Sequence, residues 1–208
     1  KMDGPMPQVA DEMCIVEIDG VGLETHIYHS GQGAMAPTMV FLHEGLGSVA
    51  TWGAFPARIV LETGLPAVIY SRSGYGKSDR RFEAYKPDFM HREALTVLPV
   101  LLAALEIAEP ILIGHSDGGS IALIHAANHP VTGIVVEAPH IFVEDISIKA
   151  IEGLSAASAG TNLIAKLGRY HDDPQHAFEG WRNIWLEPLF RNWHIVDQVM
   201  RIKCPILA

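Results

Sequence analysis

Residues 110–127 read PILIGHSDGGSIALIHAA, and this stretch decides the fold. The apolar run Pro110 to Ile113 has the character of a strand, and Ser120 to Ala127 has that of a helix. Between them stands Gly114-His115-Ser116-Asp117-Gly118, a G-x-S-x-G motif in the strand, turn, helix setting that gives it meaning. The chain must turn so sharply at the serine that small residues are needed two positions to either side. That turn lifts the hydroxyl above the sheet edge. It also sets the serine at a helix N-terminus, where unpaired N–H groups and the helix dipole favour a developing negative charge. Ser116 is therefore the candidate catalytic nucleophile.

Working outward, Thr38 to Leu42, Ala67 to Tyr70, Ile111 to Ile113 and Ile134 to Val136 are near-continuous apolar runs, as expected of central parallel strands covered on both faces. Trp52 to Thr63, Asp88 to Ile107 and Ser120 to Asn128 supply the helical crossovers, with Pro99 expected to kink or divide the second. Ile15 to Ile18 and Leu23 to Tyr28, joined through Asp19-Gly20, read as an antiparallel hairpin at the edge. Residues 1 to about 12 read as an extended tail.

After Glu137-Ala138-Pro139 the strand–helix rhythm stops, and the pattern from Ile141 to Val199 is helical. Asp145 and Asp173 are placed as helix N-caps, the second with Pro174 at the first helical position. Phe178, Trp181, Trp185, Phe190 and Trp193 read chiefly as the interior of this helical segment. The expected division is a core at 1–140, a helical cap at 141–199, and the opening of a further core strand at 200–208.

A chain of 208 residues, 49% hydrophobic and 19% charged, can bury one sizeable core. Its formal charge of -9 argues against nucleic acid and anionic membrane surfaces and for a small neutral or apolar ligand. Cys14 and Cys204 have neither disulfide-framework nor zinc spacing, which points to a reducing, cytoplasmic setting. No signal peptide or membrane span is read, and no cofactor is implied: Ser73-Gly74-Tyr75-Gly76 lacks the dinucleotide spacing. The group His171-Asp172-Asp173 with His176 is better explained by helix capping than by a metal.

A serine nucleophile needs donors for its oxyanion. The loop His43-Glu44-Gly45-Leu46-Gly47-Ser48 follows a central strand directly, so its amides are expected beside Ser116 at the strand ends, with Gly45 N–H and Asp117 N–H forming the hole. Together with Ser71-Arg72-Ser73-Gly74-Tyr75-Gly76-Lys77-Ser78-Asp79 and the elbow, this loop makes the chain resemble the α/β-hydrolase superfamily over nearly its whole length. The resemblance implies an α/β fold with a mostly parallel, doubly covered sheet and an inserted helical cap, as in capped esterases and C–C bond hydrolases. It also implies that Arg72 and Ser78 are structural. Two departures stand out: Glu44 follows His43, and Asp117 follows the nucleophile, so both place a carboxylate where negative charge must be tolerated.

The resemblance puts the acid after the seventh strand and the histidine after the eighth. The chain stops at Cys204-Pro205-Ile206-Leu207-Ala208, so both are expected past residue 208, and the sequence reads as part of a longer protein. Within it His125, His129, His171, His176 and His194 read as packing or surface residues. His140 is the best-placed substitute base, and Glu137 an acid of lesser promise. Glu44, Leu46, His140 and Trp185 are the candidate pocket residues, with Arg169 and Arg182 as anchors for an acidic substrate. The leading expectation is a serine hydrolase of a small ester. The alternatives are a C–C hydrolase of a keto-acid and a non-catalytic ligand receptor.

Overall fold

Strands that are apolar on both faces must be covered on both, and the computed structural model shows how this chain does it, describing residues 9–30, 36–158 and 161–208. β1 (Asp11–Ile18), β2 (Val21–Tyr28), β3 (Met39–Leu42), β4 (Ala67–Tyr70), β5 (Ile111–His115), β6 (Gly133–Glu137) and β7 (Ile206–Leu207) form one sheet in the order β1-β2-β4-β3-β5-β6-β7. The β1–β2 and β2–β4 pairs are antiparallel, and every pair from β4 to β7 is parallel. All four residues of β3 and of β4 are buried, as continuous apolar runs require. β1 begins earlier than its β-branched core suggested. Asp11 and Glu12 are already paired with β2, so the expected tail is confined to residues before them, of which 1–8 lie outside the described residues.

α1 (Phe55–Thr63) follows a short 3₁₀ turn at Val49–Trp52. α2 (Phe89–Arg92) passes through a widened π turn (Glu93–Val97) into α3 (Leu98–Ala104). The wide turn lies just before Pro99, whose ring clashes with a regular preceding turn and whose nitrogen has no proton to donate; the chain stays helical by loosening there. α4 (Asp117–Ala126) starts on the residue after Ser116, three positions earlier than its apolar pattern indicated.

Between β6 and β7 come α5 (Asp145–Ser158), α6 (Leu163–Leu167), α7 (Pro174–Trp185), a 3₁₀ turn (Pro188–Asn192) and α8 (Val196–Val199). Asp173 caps α7 as expected, accepting from His176 N–H at 3.1 Å ahead of Pro174. Asp145 is not a cap. It is the first residue of α5 and its carboxylate accepts from Arg191 Nη2 at 2.8 Å, while Glu144, one residue earlier, supplies the carbonyl that takes Ile148 N–H. Phe190, Trp185 and Trp193 are buried, but not in a core of their own: they join the cluster that contains Leu98, Leu112 and Ile121 on one face of the sheet. The inserted helices and the sheet thus share one interior. No helix of the described residues is long and apolar enough to cross a membrane.

Candidate active site

Chain order places β4 on one side of β3 and β5 on the other, so the sheet has a topological switch point where the C-terminal ends of β3 and β5 meet. Leu42 is in register with Gly114, which brings the loop after β3 beside the turn after β5. Ser116 stands in that turn with φ 52° and ψ -117°, a conformation that a side-chain-bearing residue rarely adopts. Its N–H is held by the Glu137 carbonyl at the end of β6 (2.9 Å), and its own carbonyl accepts the first helical bond of α4 from Ser120 (3.1 Å).

Each small residue around the elbow has a neighbour that requires it. A Cβ on Gly114 would strike the Gly118 carbonyl, and one on Gly118 would strike the Leu42 carbonyl. Gly119 lets Pro139 approach to van der Waals contact. Gly45 lies under the Trp181 indole, which a Cβ would overlap, and beside the Asp117 carboxylate. Asp117 occupies the first turn of α4, where N–H groups have no intrahelical acceptor.

The loop carrying Gly45 is fixed from below. Arg72 is 4% exposed; its Nη1 donates to the His43 carbonyl (2.6 Å) and its Nη2 to the Glu44 carbonyl (3.0 Å). The Arg72 backbone N–H donates to His43 Nε2 (3.0 Å), so Nδ1 carries the proton and donates to the Glu44 carbonyl (2.7 Å). Burial, with the Arg72 cation beside it, holds the His43 pKa well below its ordinary value and keeps the ring neutral. Arg72 is thus structural, as the resemblance implied, but its task is to shape the loop opposite Ser116.

The two carboxylates take different positions. Asp117 is 1% exposed, and burial pushes its pKa up against the pull of the Arg72 guanidinium. The Glu44 side chain is partly exposed, 3.7 Å from His115 Nδ1; it is the backbone carbonyl, not the carboxylate, that engages His43.

Above Ser116 lies a cavity of about 370 Å³ lined by Glu44, Gly45, Leu46, His115, Asp117, His140, Ser147, Ala150, Ile151, Leu154, Trp181 and Trp185. All four candidate pocket residues are among them. Arg169 and Arg182 are not: Arg169 is exposed, and Arg182 is turned onto the Phe178 ring and the Asn183 side chain. An anchor for an acidic substrate cannot come from either.

His140 does more than line the cavity. Its Nε2 lies 3.2 Å from Ser116 Oγ and its Nδ1 2.9 Å from Glu144 Oε2. The ring packs edge to face against Trp185, with centroids 4.7 Å apart. Its backbone is gripped at both ends by one hydroxyl, since Ser120 Oγ donates to the His140 carbonyl (2.7 Å) and accepts from its N–H (2.9 Å). The turn before it bends through Ala138 at φ 47°. Ser120, Ala138 and Glu144 were not singled out by sequence reasoning. The one legible sign was a histidine four residues before a glutamate at a helix start. His115, the residue before the serine, also lines the cavity, with its Nδ1 3.7 Å from Glu44 Oε2. His125 is buried under α2–α3 with Nδ1 2.8 Å from the Ala94 carbonyl, and His171 bridges Gly76 N–H and the Leu46 carbonyl (3.0 Å each). Among the described residues no group of three or more His, Cys, Asp or Glu side chains is arranged to hold a metal ion.

Comparison with known proteins agrees with this architecture. The chain is 26% identical to the human serine hydrolase BPHL over 98% of its own length and 72% of that protein. It is 35% identical to 2-hydroxymuconate semialdehyde hydrolase of Pseudomonas sp. strain CF600 over 55% of the chain and 38% of that enzyme. It is 29% identical to bovine protein phosphatase methylesterase 1 over 63% of the chain and 34% of that enzyme, so the matched part is well under half of these two relatives. Among solved structures, a carboxylesterase of Nitrososphaera gargenis superposes with a TM-score of 0.69 at 18% identity, covering 93% of this chain and 78% of that one. The enol-lactonase of Burkholderia xenovorans LB400 gives 0.67 at 18% identity, over 93% and 79%. The model of the alpha/beta hydrolase family matches residues 39–201, a span that takes in the β3 loop, the elbow and the inserted helices; the chain belongs to that family.

Proposed function

We propose that the protein is a serine hydrolase of small, uncharged esters, with Ser116 as nucleophile and the Gly45 and Asp117 N–H groups as the oxyanion hole. The observation that carries this reading is the strained Ser116 turn at the floor of an apolar cavity, directly across from a loop held rigid by Arg72. Strain of this kind persists only where surrounding structure over-determines it, and here Glu137, Gly114, Gly118 and the first bond of α4 do so. In this reading the hydroxyl attacks the ester carbonyl, and the Gly45 and Asp117 N–H groups receive the oxyanion. The inserted helices act as the cap: Ala150, Ile151 and Leu154 of α5 and Trp181 and Trp185 of α7 provide an apolar wall that selects the acyl or alcohol part.

A C–C bond hydrolase of a keto-acid is the second reading, favoured by the likeness to 2-hydroxymuconate semialdehyde hydrolase. The cavity weighs against it. Its described lining includes Glu44 and Asp117 and neither a lysine nor an arginine, so it offers a substrate carboxylate no fixed cation. The test is labelling with a fluorophosphonate probe and turnover of 4-nitrophenyl butyrate. The wild type should label and turn over, and Ser116→Ala should do neither. A folded wild type that resists the probe would favour a ligand receptor on the same fold.

A further inference from the structure

A peptide group carries a donor and an acceptor, and a bond taken by its carbonyl draws electron density from its own N–H, which becomes the stronger donor for it. The Gly45 N–H shares its peptide with the Glu44 carbonyl. That carbonyl accepts twice, from Arg72 Nη2 at 3.0 Å and from His43 Nδ1–H at 2.7 Å. We propose that Arg72 is a positioning residue whose charge acts through the Glu44–Gly45 peptide, making the Gly45 N–H a stronger oxyanion donor than an ordinary backbone amide. The assignment rests on the reading of Ser116 as nucleophile and of Gly45 N–H as part of the oxyanion hole. It gives Arg72 a task beyond shaping the loop.

Arg72 governs both bonds to that carbonyl. Its backbone N–H donates to His43 Nε2 (3.0 Å), which fixes the ring proton on Nδ1 and directs it to the Glu44 oxygen. Its Nη1 holds the His43 carbonyl at 2.6 Å, so two consecutive peptides have their oxygens on one guanidinium. In a trans peptide the C=O and N–H bonds point opposite ways, so the Gly45 N–H is directed away from the arginine. Gly45 itself lines the cavity over Ser116.

The charge is kept available for this. Arg72 is 4% exposed, its Nε has no hydrogen-bond partner, and among the described residues no carboxylate forms an ion pair with it. The Tyr75 ring, 5.2 Å from the guanidinium carbon, supports the cation without neutralising it. Glu93 and Asp117 feel its field, but burial pushes the pKa of each up against that pull, and Glu93 Oε1 is taken by the Tyr70 hydroxyl at 2.9 Å. If the loop needed shape alone, a neutral amide would hold the same oxygens without the cost of burying an unpaired cation. In so dry a place the field of the cation is weakly screened, and the peptide it polarises is the one facing the developing oxyanion.

The experiment measures turnover of 4-nitrophenyl butyrate by folded Arg72→Gln and Arg72→Lys variants, with Ser116→Ala beside them. Glutamine keeps a hydrogen-bond donor and loses the charge, whereas lysine keeps the charge with a single, differently placed donor. Removing an oxyanion donor outright lowers kcat by about 10²–10³-fold, and weakening one costs less. Arg72→Gln should therefore lose about 10-fold in kcat with KM little changed, and Arg72→Lys should recover most of that loss. The lysine variant also decides alone if the glutamine variant does not fold, because its charge can be titrated. A buried ammonium loses its proton well below the usual lysine range, while a guanidinium stays charged. The groups that face residue 72, namely His43, Tyr75, Tyr85, Glu93 and Asp117, are common to both proteins, so the ratio of variant to wild-type kcat isolates the lysine. Between about pH 6 and 9.5 that ratio should fall about 10-fold as the proton leaves, with KM steady. A glutamine variant with kcat within threefold of wild type overturns the proposal, as does a folded lysine variant whose ratio stays flat across that range. Activity retained by Ser116→Ala would instead overturn the nucleophile on which it rests.

Discussion

Ser116 carries its hydroxyl at φ 52°, outside the region where a residue with a Cβ is comfortable, and glycine is the one residue that relaxes there at no steric cost. Replacing it by alanine and by glycine removes the same hydroxyl, so the two variants differ only in backbone preference. Such strain costs on the order of 1–3 kcal/mol, and glycine gives back about 0.4–1 kcal/mol through its freer unfolded chain. Ser116→Gly should therefore melt above Ser116→Ala by about 1 kcal/mol, roughly 2–4 °C for a domain of this size. Equal or reversed melting temperatures would mean that the elbow stores no strain. Gly114 and Gly118 behave oppositely, since each is overlapped by a backbone carbonyl at the position of a Cβ. Reading the motif from sequence found all three residues, because the sterics are local. It did not find Ser120 or Glu144, whose partners are brought near only by the β5–β6 register and by the bridge from the His140 segment to Trp193–Ile195.

Helix α4 is buried over nearly its whole length, and His125 near its end is the polar group that the neighbouring helix must accommodate. The π turn in the helix opposite exposes the Ala94 carbonyl, and His125 Nδ1–H donates to it at 2.8 Å, with the His129 ring stacked at 4.6 Å. Burial lowers the His125 pKa to about 4. Below its ordinary value of 6.5 the unfolded chain gains a proton that the folded chain refuses. Stability present near neutrality is therefore lost as pH falls from 6.5 toward 4, by about 2 kcal/mol at pH 5. His125→Gln retains a donor for Ala94 and does not titrate. Between pH 7.5 and 5 its melting temperature should fall less than that of the wild type by the equivalent of that energy; parallel declines would locate the acid sensitivity in other groups. The same pair of helices marks how far periodicity reads. The apolar runs of β3 to β6 and the helical span from Asp88 were legible because burial on both faces writes a continuous pattern. The π turn was not, because Pro99 announces a disturbance without saying whether the chain bends or widens.

On the scale of the whole molecule, the inserted helices and the sheet are one body, since Trp185, Phe190 and Trp193 pack into the same cluster as the sheet's own residues. Sequence periodicity separated them because aromatic residues at helical spacing look the same whether they face one another or a sheet. The charge-rich stretch His171-Asp172-Asp173 was likewise read as local capping, which holds for Asp173 but not for His171. That ring is 4% exposed and spans the junction: Nδ1 accepts from Gly76 N–H of the turn after β4, and Nε2–H donates to the Leu46 carbonyl, both at 3.0 Å. Asp172 N–H adds a bond to the Gly76 carbonyl at 2.9 Å. Burial holds the His171 pKa below its ordinary value, so the ring remains neutral and can accept at one nitrogen while donating at the other. His171→Leu would leave the Gly76 donor and the Leu46 acceptor buried without their partner, at a cost of roughly 1–3 kcal/mol apiece at most. We expect the variant to melt more than about 4 °C lower. Because Leu46 lines the cavity over Ser116, KM for 4-nitrophenyl butyrate should also rise while kcat changes little. A variant that melts with the wild type and keeps its KM would show that the inserted helices are seated by their apolar face alone, with the histidine adding nothing to their position.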